Sequence, residues 1–375
     1  MMEFCDLKKQ YLSMKEEMDE AILSAVAQTH FIGGPQVEQL EKELASYVGE
    51  PYCISCSTGT DALNLAMRAI GCGPGDAVFT TAFSFFATAE VVALNGATPV
   101  FADINPDTFN LDPVSLEQAI QKVKKEGLLR PKAVITVDLF GQPADYPAIR
   151  NITNRENLVL IEDAAQGFGG QIDGKLACSF GDISATSFFP SKPLGCYGDG
   201  GAIFTDNQEY ASVMSSLKVH GKGADKYDNL RIGYNSRLDT VQAAVLLTKF
   251  SRFEWEVERR NQLADCYTKA LSGIVKTPVV PKGYRSSWAQ YTLMLPQEAN
   301  RPAIQKALLE FGVKTMVYYP KPLHLQSAFL SLGYEKGSLP YAEAAADRVL
   351  SLPMHPYWEQ SEVAQVCKAV QQVLG

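Results

Sequence analysis

The stretch SFFPSKPLGCYGDGGA, residues 187–202, places one lysine between two prolines and directly before a run of glycines. Pro190 and Pro193 restrict the backbone around Lys192. The glycines leave room for another group to approach closely; they are Gly195, Gly198, Gly200 and Gly201. A lysine amine held at one fixed point can form a Schiff base with an aldehyde cofactor. An exposed lysine in a glycine-rich hairpin gives the same pattern, so this stretch alone does not separate the two.

A second informative stretch is VLIEDAAQGFG, residues 159–169, in which an apolar run ends at Glu162 and Asp163. The run predicts a strand, and in an open parallel sheet ligands bind beyond the carboxyl ends of the strands. Asp163 would there pair with a protonated ring nitrogen, as pyridoxal phosphate enzymes require. A helix N-cap aspartate is the simpler explanation of this residue taken alone.

The third stretch is CSTGTDAL, residues 56–63, where a short predicted strand ends and a helix begins near Asp61. The backbone amides of Gly59 and Thr60, with the positive end of the helix dipole behind them, would form a phosphate site. The segment matches neither the GxxxxGK[ST] loop nor the GxGxxG fingerprint. Taken alone, it is explained equally simply as an ordinary capped helix start.

Short apolar runs alternate with helical stretches from Tyr52 onwards, and this alternation predicts a parallel sheet covered on both faces. The expected strands are 52–56, 77–80, 98–102, 133–137, 158–161, 183–187 and 200–205. A long helix is expected over 239–271, followed by a smaller lobe with strands at 289–295 and 313–318 and a helix at 341–350. We therefore expect an α/β fold with a large domain over residues 1–250 and a small C-terminal α/β domain over 251–375.

The composition excludes several classes of function. The chain has 375 residues, with 34 Lys and Arg against 42 Asp and Glu, which gives a net charge of −8. An acidic chain argues against a nucleic-acid partner, which needs a basic patch. The apolar runs are too short to cross a membrane and the N-terminus has no signal-peptide core, so we expect a cytoplasmic protein. The CISC pair at Cys53 and Cys56 has no second pair at zinc spacing, and no metal site is expected.

A phosphate cradle, a strand-end aspartate and a constrained lysine, in that order along an α/β chain, resemble the pyridoxal-phosphate-dependent aspartate aminotransferase fold, fold type I. Other stretches narrow the resemblance to DegT/StrS-type nucleotide-sugar aminotransferases over nearly the whole chain. They are FCDLKKQY (4–11), GGPQVEQLEKELA (33–45), TTAFSFFATAEVV (80–92), PVFADINPDTFNLD (99–112), RIGYNSRLDTVQAA (231–244), YYPKPLHLQ (318–326) and SLPMHPY (351–357). The resemblance implies a mixed, mostly parallel seven-stranded sheet in the large domain.

The resemblance also implies roles for residues that would bind pyridoxal 5′-phosphate. Lys192 would carry the cofactor and move the proton between the donor and the cofactor, and Asp163 would hold the pyridinium nitrogen. Gln166 would contact the ring hydroxyl. Phe85 would stack on the ring, with Phe86 as the competing candidate one residue along.

The cofactor phosphate would be held, by the same resemblance, by the amides of Gly59 and Thr60 and by the Ser187 hydroxyl. Asn235 matches an asparagine that the family supplies from the neighbouring subunit, which implies a homodimer with shared active sites. The implied reaction moves the amino group of L-glutamate to a keto group of a nucleotide-linked sugar. Pyridoxamine 5′-phosphate is its intermediate form, and cell-surface polysaccharide or related sugar biosynthesis is its setting.

The stretches SFFPSKPLGCYGDGGAIFT and YNSRLDT are most similar to enzymes that aminate C3 of a UDP-linked 3-keto-N-acetylhexosaminuronic acid. On that resemblance Arg237 would bind the sugar carboxylate with two parallel hydrogen bonds. Its alternative is an ion pair with Asp239 or another acid at the helix start. Tyr318 and Tyr319 are expected to bind the substrate, although close relatives often have a histidine where this chain has Tyr318.

Three other functions fit parts of the pattern. A sugar dehydratase on the same fold replaces the Schiff-base lysine with histidine, and Lys192 argues against it. A cysteine desulfurase needs a cysteine on a mobile loop that faces the cofactor, and Cys196 lies in the glycine segment instead. A non-catalytic cofactor-binding regulator of a sugar operon is expected to carry a DNA-binding module, of which the acidic chain gives no sign.

Overall fold

The computed structural model describes residues 2–225 and 227–375. The strands in this part of the chain are β1 (Tyr52–Cys56), β2 (Asp76–Thr81), β3 (Thr98–Ala102), β4 (Arg130–Val137), β5 (Val159–Asp163), β6 (Gln171–Ile172), β7 (Lys175–Leu176), β8 (Ile183–Ser187), β9 (Gly201–Thr205), β10 (Tyr284–Arg285), β11 (Tyr291–Met294) and β12 (Val349–Leu352). The helices are α1 (Leu7–Ser13), α2 (Lys15–Ala27), α3 (Pro35–Val48), α4 (Gly59–Ala69), α5 (Ala87–Leu94), α6 (Pro113–Glu126), α7 (Tyr146–Glu156), α8 (Gln208–Leu217), α9 (Thr240–Phe250), α10 (Phe253–Leu271), α11 (Arg301–Glu310), α12 (Pro340–Arg348) and α13 (Gln360–Leu374).

Seven strands form the large sheet, in the order β1-β9-β8-β5-β4-β2-β3. The neighbouring pairs are parallel except that β9 runs antiparallel to both β1 and β8. The mostly parallel seven-stranded sheet expected from the sequence is therefore confirmed. β5 lies at its centre, so the carboxyl end of β5 has neighbouring strand ends on both sides.

Helices cover both faces of this sheet, and successive strand residues point to opposite faces. Leu160 and Phe204 belong to the core that packs against α2, α3, α6, α7 and α9. Ile161 and Ile203, one residue away in each strand, belong to the core under α4, α5 and α8. Burial on both faces explains why the strands read as continuous apolar runs.

The C-terminal part of the chain has a core of its own, built around the antiparallel pair β11–β12 and helices α10, α11 and α13. Helix α10 contributes to two cores, because Phe253 and Val257 pack with the large sheet while Leu263 and Tyr267 pack with the C-terminal lobe. Because α10 packs with both cores, the expected boundary between a large domain and a small domain at residue 250 stays a prediction.

Three sequence expectations about this lobe are wrong in detail. The helix expected over 239–271 is two helices, because the chain turns at residues 251 and 252. Residues 313–318 form no strand, and Val313 and Met316 make only isolated bridges. The helix expected over 341–350 ends at Arg348, because the next four residues pair with β11. Among the residues that the structure describes, no helix is long and apolar enough to cross a bilayer.

Candidate active site

The three sequence stretches meet at one edge of the large sheet. The carboxyl ends of the adjacent parallel strands β5 and β8 place Asp163 and Ser187 at this edge. The start of α4 packs against the end of β8, since a methyl group built on Gly59 would lie 2.6 Å from Ser187 Cβ. The lysine loop, defined here as residues 188–200, continues directly from β8.

Asp163 is buried at the end of β5, with 5% of its surface exposed. The Thr88 hydroxyl on α5 donates to its Oδ2 at 2.8 Å, and the Ala165 backbone N–H donates to its Oδ1 at 3.2 Å. Burial raises the pKa of Asp163, while these hydrogen bonds and the charge of Lys192 act in the opposite direction. The carboxylate is thus desolvated and poised to bind a cationic partner.

Glu162 precedes Asp163 but points to the opposite face of β5. Its two oxygens accept hydrogen bonds from the backbone N–H groups of Cys178 at 2.6 Å and Phe180 at 2.8 Å. The Ser184 hydroxyl donates to it at 2.7 Å. Of the two acidic residues at the strand end, Glu162 therefore anchors the chain that leads into β8, and Asp163 faces the site.

Lys192 lies in a turn that is closed by its backbone N–H, which donates to the Phe189 carbonyl at 2.8 Å. Gly195 passes so close to this turn that an added methyl group would lie 2.5 Å from the Pro190 carbonyl oxygen, which is why glycine is needed there. Burial lowers the pKa of Lys192, and the charge of Asp163 partly offsets that effect. The amine is therefore biased toward its neutral, nucleophilic form.

The beginning of α4, called the α4 cradle below, has the arrangement that the expected phosphate site would need. Thr58 caps the helix by accepting the Asp61 N–H at 2.9 Å, which leaves the amides of Gly59 and Thr60 directed out of the helix end. The Ser57 N–H donates to Ser236 Oγ at 3.3 Å. Residues far apart in the sequence thus converge at the N-terminus of α4, a position that favours an anion.

The segment 235–237 lies beside the cradle of its own chain, because buried Ser236 contacts Ser57. Asn235 is exposed and pairs with Val219 in an isolated bridge. Arg237 is half-buried, and its Nε is buried without a hydrogen-bond partner among the described residues. In the described part of the chain Arg237 makes no ion pair with Asp239. The alternative role of Arg237, an ion pair with an acid at the helix start, therefore gains no support.

Gln166 and Tyr319 lie together next to the end of β5. The Gln166 side chain accepts the Phe140 N–H at 2.7 Å and donates to the Tyr319 hydroxyl at 3.0 Å, which leaves one amide hydrogen for another partner. The Phe85 ring lies 6.2 Å from the Tyr319 ring and is 55% exposed. Phe86 instead packs on Phe329 with the ring centres 5.2 Å apart, so the geometry favours Phe85 for a stacking role.

Tyr318 is half-buried, and its ring centre lies 5.8 Å from that of Tyr319. Its ring centre is 6.1 Å from that of Phe4, in the N-terminal segment. Burial raises the pKa of the Tyr318 phenol, so the hydroxyl stays protonated and able to donate. Tyr318 therefore offers a hydroxyl donor beside Tyr319.

Sequence reasoning missed Thr88, Ser84 and Ser236. Ser84 Oγ lies 3.1 Å from Thr88 Oγ1, so the two hydroxyls form a chain that ends on Asp163. No sequence pattern marked this chain of hydroxyls, because Ser84 lies before α5, which begins at Ala87, and reaches Thr88 only through the turn that leads into the helix. Nothing in the sequence pointed to the contact between Ser236 and Ser57, which are 179 positions apart.

Comparison with known proteins agrees with this geometry. The model of the DegT/DnrJ/EryC1/StrS aminotransferase family matches residues 12–371. The chain belongs to this family. It is 46% identical to a UDP-2-acetamido-2-deoxy-3-oxo-D-glucuronate aminotransferase of Pseudomonas aeruginosa, over 99% of both chains. It is also 43% identical to a pleiotropic regulatory protein of Geobacillus stearothermophilus, over 97% of this chain and 96% of that one.

Solved structures of the DegT/DnrJ/EryC1/StrS family superpose closely. A family aminotransferase from Brucella abortus gives a TM-score of 0.97 at 47% identity, over the full length of both chains. NtdA of Bacillus subtilis, solved with bound cofactor PMP, gives a TM-score of 0.88 at 34% identity, over 96% of this chain and 82% of that one. The fold-type-I assignment expected from the sequence is therefore confirmed.

The close packing of Gly59 on Ser187 gives a stability prediction. Gly59→Ala should lower the free energy of unfolding by about 1–3 kcal/mol, because the new methyl group overlaps Ser187 Cβ. In the double variant, Ser187→Gly should recover at least half of that loss. Ser187→Gly alone should not raise the free energy of unfolding. Urea denaturation of the two single variants and the double variant measures this coupling. Additive effects of the two substitutions would contradict the contact.

Proposed function

We propose that this protein is a pyridoxal-phosphate-dependent aminotransferase that moves the amino group of L-glutamate to C3 of a nucleotide-linked 3-keto sugar. The observation that carries the proposal is the placing of buried Asp163, the lysine loop and the α4 cradle at one sheet edge. The full-length relative from Pseudomonas aeruginosa acts on a 3-oxo sugar and supports the substrate class. The bound PMP of the NtdA structure supports the cofactor.

The residues at the sheet edge fit pyridoxal phosphate. The amides of Gly59 and Thr60 and the Ser187 hydroxyl would hold its phosphate, and Asp163 would hold the protonated ring nitrogen. The exposed face of Phe85 would stack on the ring, and the free amide hydrogen of Gln166 would reach the ring hydroxyl. When bound, the cofactor supplies an aldehyde and an electron-accepting ring.

Lys192 is the proton carrier of the proposed reaction. Burial lowers the pKa of Lys192, which favours the neutral form of its amine, and the turn at Phe189 and Gly195 fixes the loop that presents it. A neutral amine can take the proton from Cα of the amino donor and return it to C4′ of the cofactor. The hydrogen bonds that Thr88 and Ala165 donate to the two oxygens of Asp163 favour its charged form, and a protonated ring nitrogen would favour it further.

The sugar would enter from the side of Arg237, Tyr318 and Tyr319. The unpartnered Nε of Arg237 supports a role in binding a carboxylate, which a uronic acid provides. The relative from Pseudomonas aeruginosa takes a glucuronate and so supports the same substrate chemistry. Tyr318 and Tyr319 would supply hydroxyl groups for the sugar.

A homodimer with shared sites fits the surface around the lysine loop. Exposed apolar side chains lie in this loop, before α3 and in the segment before α9, namely Phe189, Phe31, Ile32, Leu230 and Ile232. Exposed apolar side chains of this kind favour cover by a partner, and a second copy of the chain is the commonest one. Asn235 would then reach the cradle of the other subunit.

A non-catalytic regulator is the second candidate, because one full-length relative is a pleiotropic regulatory protein. Ligand-dependent regulation requires a bound cofactor but no amino transfer. The family model over residues 12–371 and the full-length aminotransferase relative from Pseudomonas aeruginosa favour the enzyme.

The glutamate half-reaction tests the proposed function. L-Glutamate should convert the absorption of the bound pyridoxal form, and a UDP-linked 3-keto sugar should restore it. Lys192→Ala should abolish both changes while its fold, followed by circular dichroism, stays intact. Borohydride reduction with peptide mapping should place the phosphopyridoxyl group on Lys192. Unchanged absorption with glutamate would favour the regulator.

Loss of the Asp163 charge should slow the reaction. Asp163→Asn should lower the glutamate turnover at least roughly a hundredfold, a few kcal/mol of transition-state stabilisation. Thr88→Val removes only one hydrogen bond to Asp163 and should cost about tenfold, while Thr88→Ser keeps the bond and serves as control. Single-turnover kinetics measures each rate, and near-normal turnover of Asp163→Asn would contradict the role.

Substitution of Arg237 should affect the half-reaction with the keto sugar and not the half-reaction with glutamate. Arg237→Lys should raise KM for a uronic-acid keto sugar about tenfold or more and leave the glutamate half-reaction unchanged, because lysine cannot form two parallel hydrogen bonds. Steady-state kinetics with the uronic acid and with its neutral counterpart measures the effect. Equal turnover of the two sugars by the unmodified enzyme would contradict carboxylate recognition.

Mixing two inactive variants should restore activity if sites are shared. Lys192→Ala subunits combined with Asn235→Asp subunits form heterodimers in which one site contains neither lesion. If Asn235 instead serves the cradle of its own chain, as the contact of Ser236 with Ser57 would allow, every site keeps one lesion and the mixture stays inactive. Activity after mixing, and sedimentation of the unmodified protein, separate the two arrangements.

A further inference from the structure

Arg260 on α10 is a buried arginine without a counter-ion. Only 7% of its surface is exposed, and in residues 2–225 and 227–375 it makes no hydrogen bond or ion pair, with its Nε fully enclosed. Its neighbour Arg259 differs, because Arg259 donates to the Gln262 side chain at 2.7 Å and to the Trp358 carbonyl at 2.9 Å. A guanidinium keeps its charge in proteins, so burying it unpaired is unfavourable unless an anion binds there.

The groups around Arg260 do not supply that anion. Lys249 is buried beside it and donates to the Gly195 carbonyl at 2.5 Å. The nearby carboxylate of Glu256 accepts instead from the Gln10 side chain at 2.8 Å and forms no ion pair with either cation in the described chain. Burial lowers the pKa of His355 to about 3, so this histidine is neutral. The buried cations therefore outnumber the buried carboxylate.

Arg260 lines a cavity of about 30 Å³ that reaches the lysine loop. Its other polar lining comes from Cys5, Ser191, Gln290 and Tyr318. Ser191 directly precedes Lys192, and the Gln290 Oε1 atom is buried without a partner. A volume of this size holds two or three water-sized atoms, which suits a carboxylate group and excludes a sugar ring.

We propose that Arg260 binds a carboxylate of the amino-acid donor in this cavity. The proposal rests on the proposed function, which requires an amino acid with its amine close to Lys192. A carboxylate between Arg260 and Tyr318 would satisfy the orphaned guanidinium and would fix the donor beside the lysine loop. The sugar carboxylate keeps a separate partner in Arg237.

Binding of a dicarboxylate that cannot react tests this site directly. Glutarate has the carboxylates of glutamate without the amine, and calorimetry on the cofactor-loaded protein should detect its binding. Arg260→Gln should weaken that binding at least tenfold. The matched control Arg259→Gln removes one positive charge from the same helix and should change it less than twofold. Equal weakening by both variants would overturn the proposal, because it would indicate a general loss of positive charge.

The two half-reactions distinguish this site from the sugar site. In Arg260→Gln, the glutamate concentration at half-maximal rate should rise at least tenfold, while amination of the keto sugar by protein preloaded with pyridoxamine phosphate stays unchanged. A selective effect on the sugar half-reaction would overturn the proposal. If the unmodified protein binds glutarate but does not aminate keto sugars, the proposed function fails while the carboxylate site stands.

A crystal structure of the unmodified protein with glutarate keeps the test independent of how the variants fold. A carboxylate within hydrogen-bond distance of the Arg260 guanidinium supports the proposal. Glutarate bound only elsewhere, with water beside Arg260, overturns it.

Discussion

The site depends on a carboxylate that must stay charged while buried. Asp163 lies at the carboxyl end of the central strand β5, where the low dielectric constant disfavours its negative charge. The surrounding chain therefore has to supply hydrogen-bond donors to its carboxylate. Thr88 provides one from α5 and Ala165 provides the other from the turn after β5. These two contacts connect the first turn of α5 and the chain that leaves β5 to the same carboxylate. A cationic ring placed beside Asp163 would complete the balance of charge, and a neutral ligand would leave it incomplete.

The alternation of side chains along β5 gives two adjacent acids separate tasks. Asp163 faces the site, and Glu162 faces the opposite side, where backbone N–H groups at residues 178–181 converge on it. Glu162 thereby fixes the chain just before β8, and β8 in turn sets where Ser187 and the lysine loop begin. The position of Lys192 therefore depends on a buried acid that faces away from the site. A one-residue slip of β5 would exchange the two acids and lose both functions.

The large sheet could be predicted because its strands are short apolar runs separated by helices, a pattern set by local sequence. The three motifs could be placed at one edge because parallel strands end together. The pairing of β12 with β11 could not be predicted, since the apolar residues after Arg348 continue a helical pattern and become a strand only through a distant partner. For the same reason Ser236 was missed, as its contact with Ser57 exists only after folding. Phe85 and Phe86 differ in exposure, which adjacent residues of one type do not reveal.

The net charge of the whole chain does not show the local charge around the lysine loop. The chain has a net charge of −8, yet Lys192, Lys249 and Arg260 gather around the lysine loop. Burial lowers the pKa of Lys249 to about 8, which still leaves it mostly protonated near neutral pH, and Arg260 keeps its charge at any pH in this range. Fields inside a cleft are screened less than those at the surface, so a few buried cations can outweigh a larger acidic surface nearby. An overall acidic protein can therefore select anionic substrates, because local charge rather than the sum decides which ligands enter.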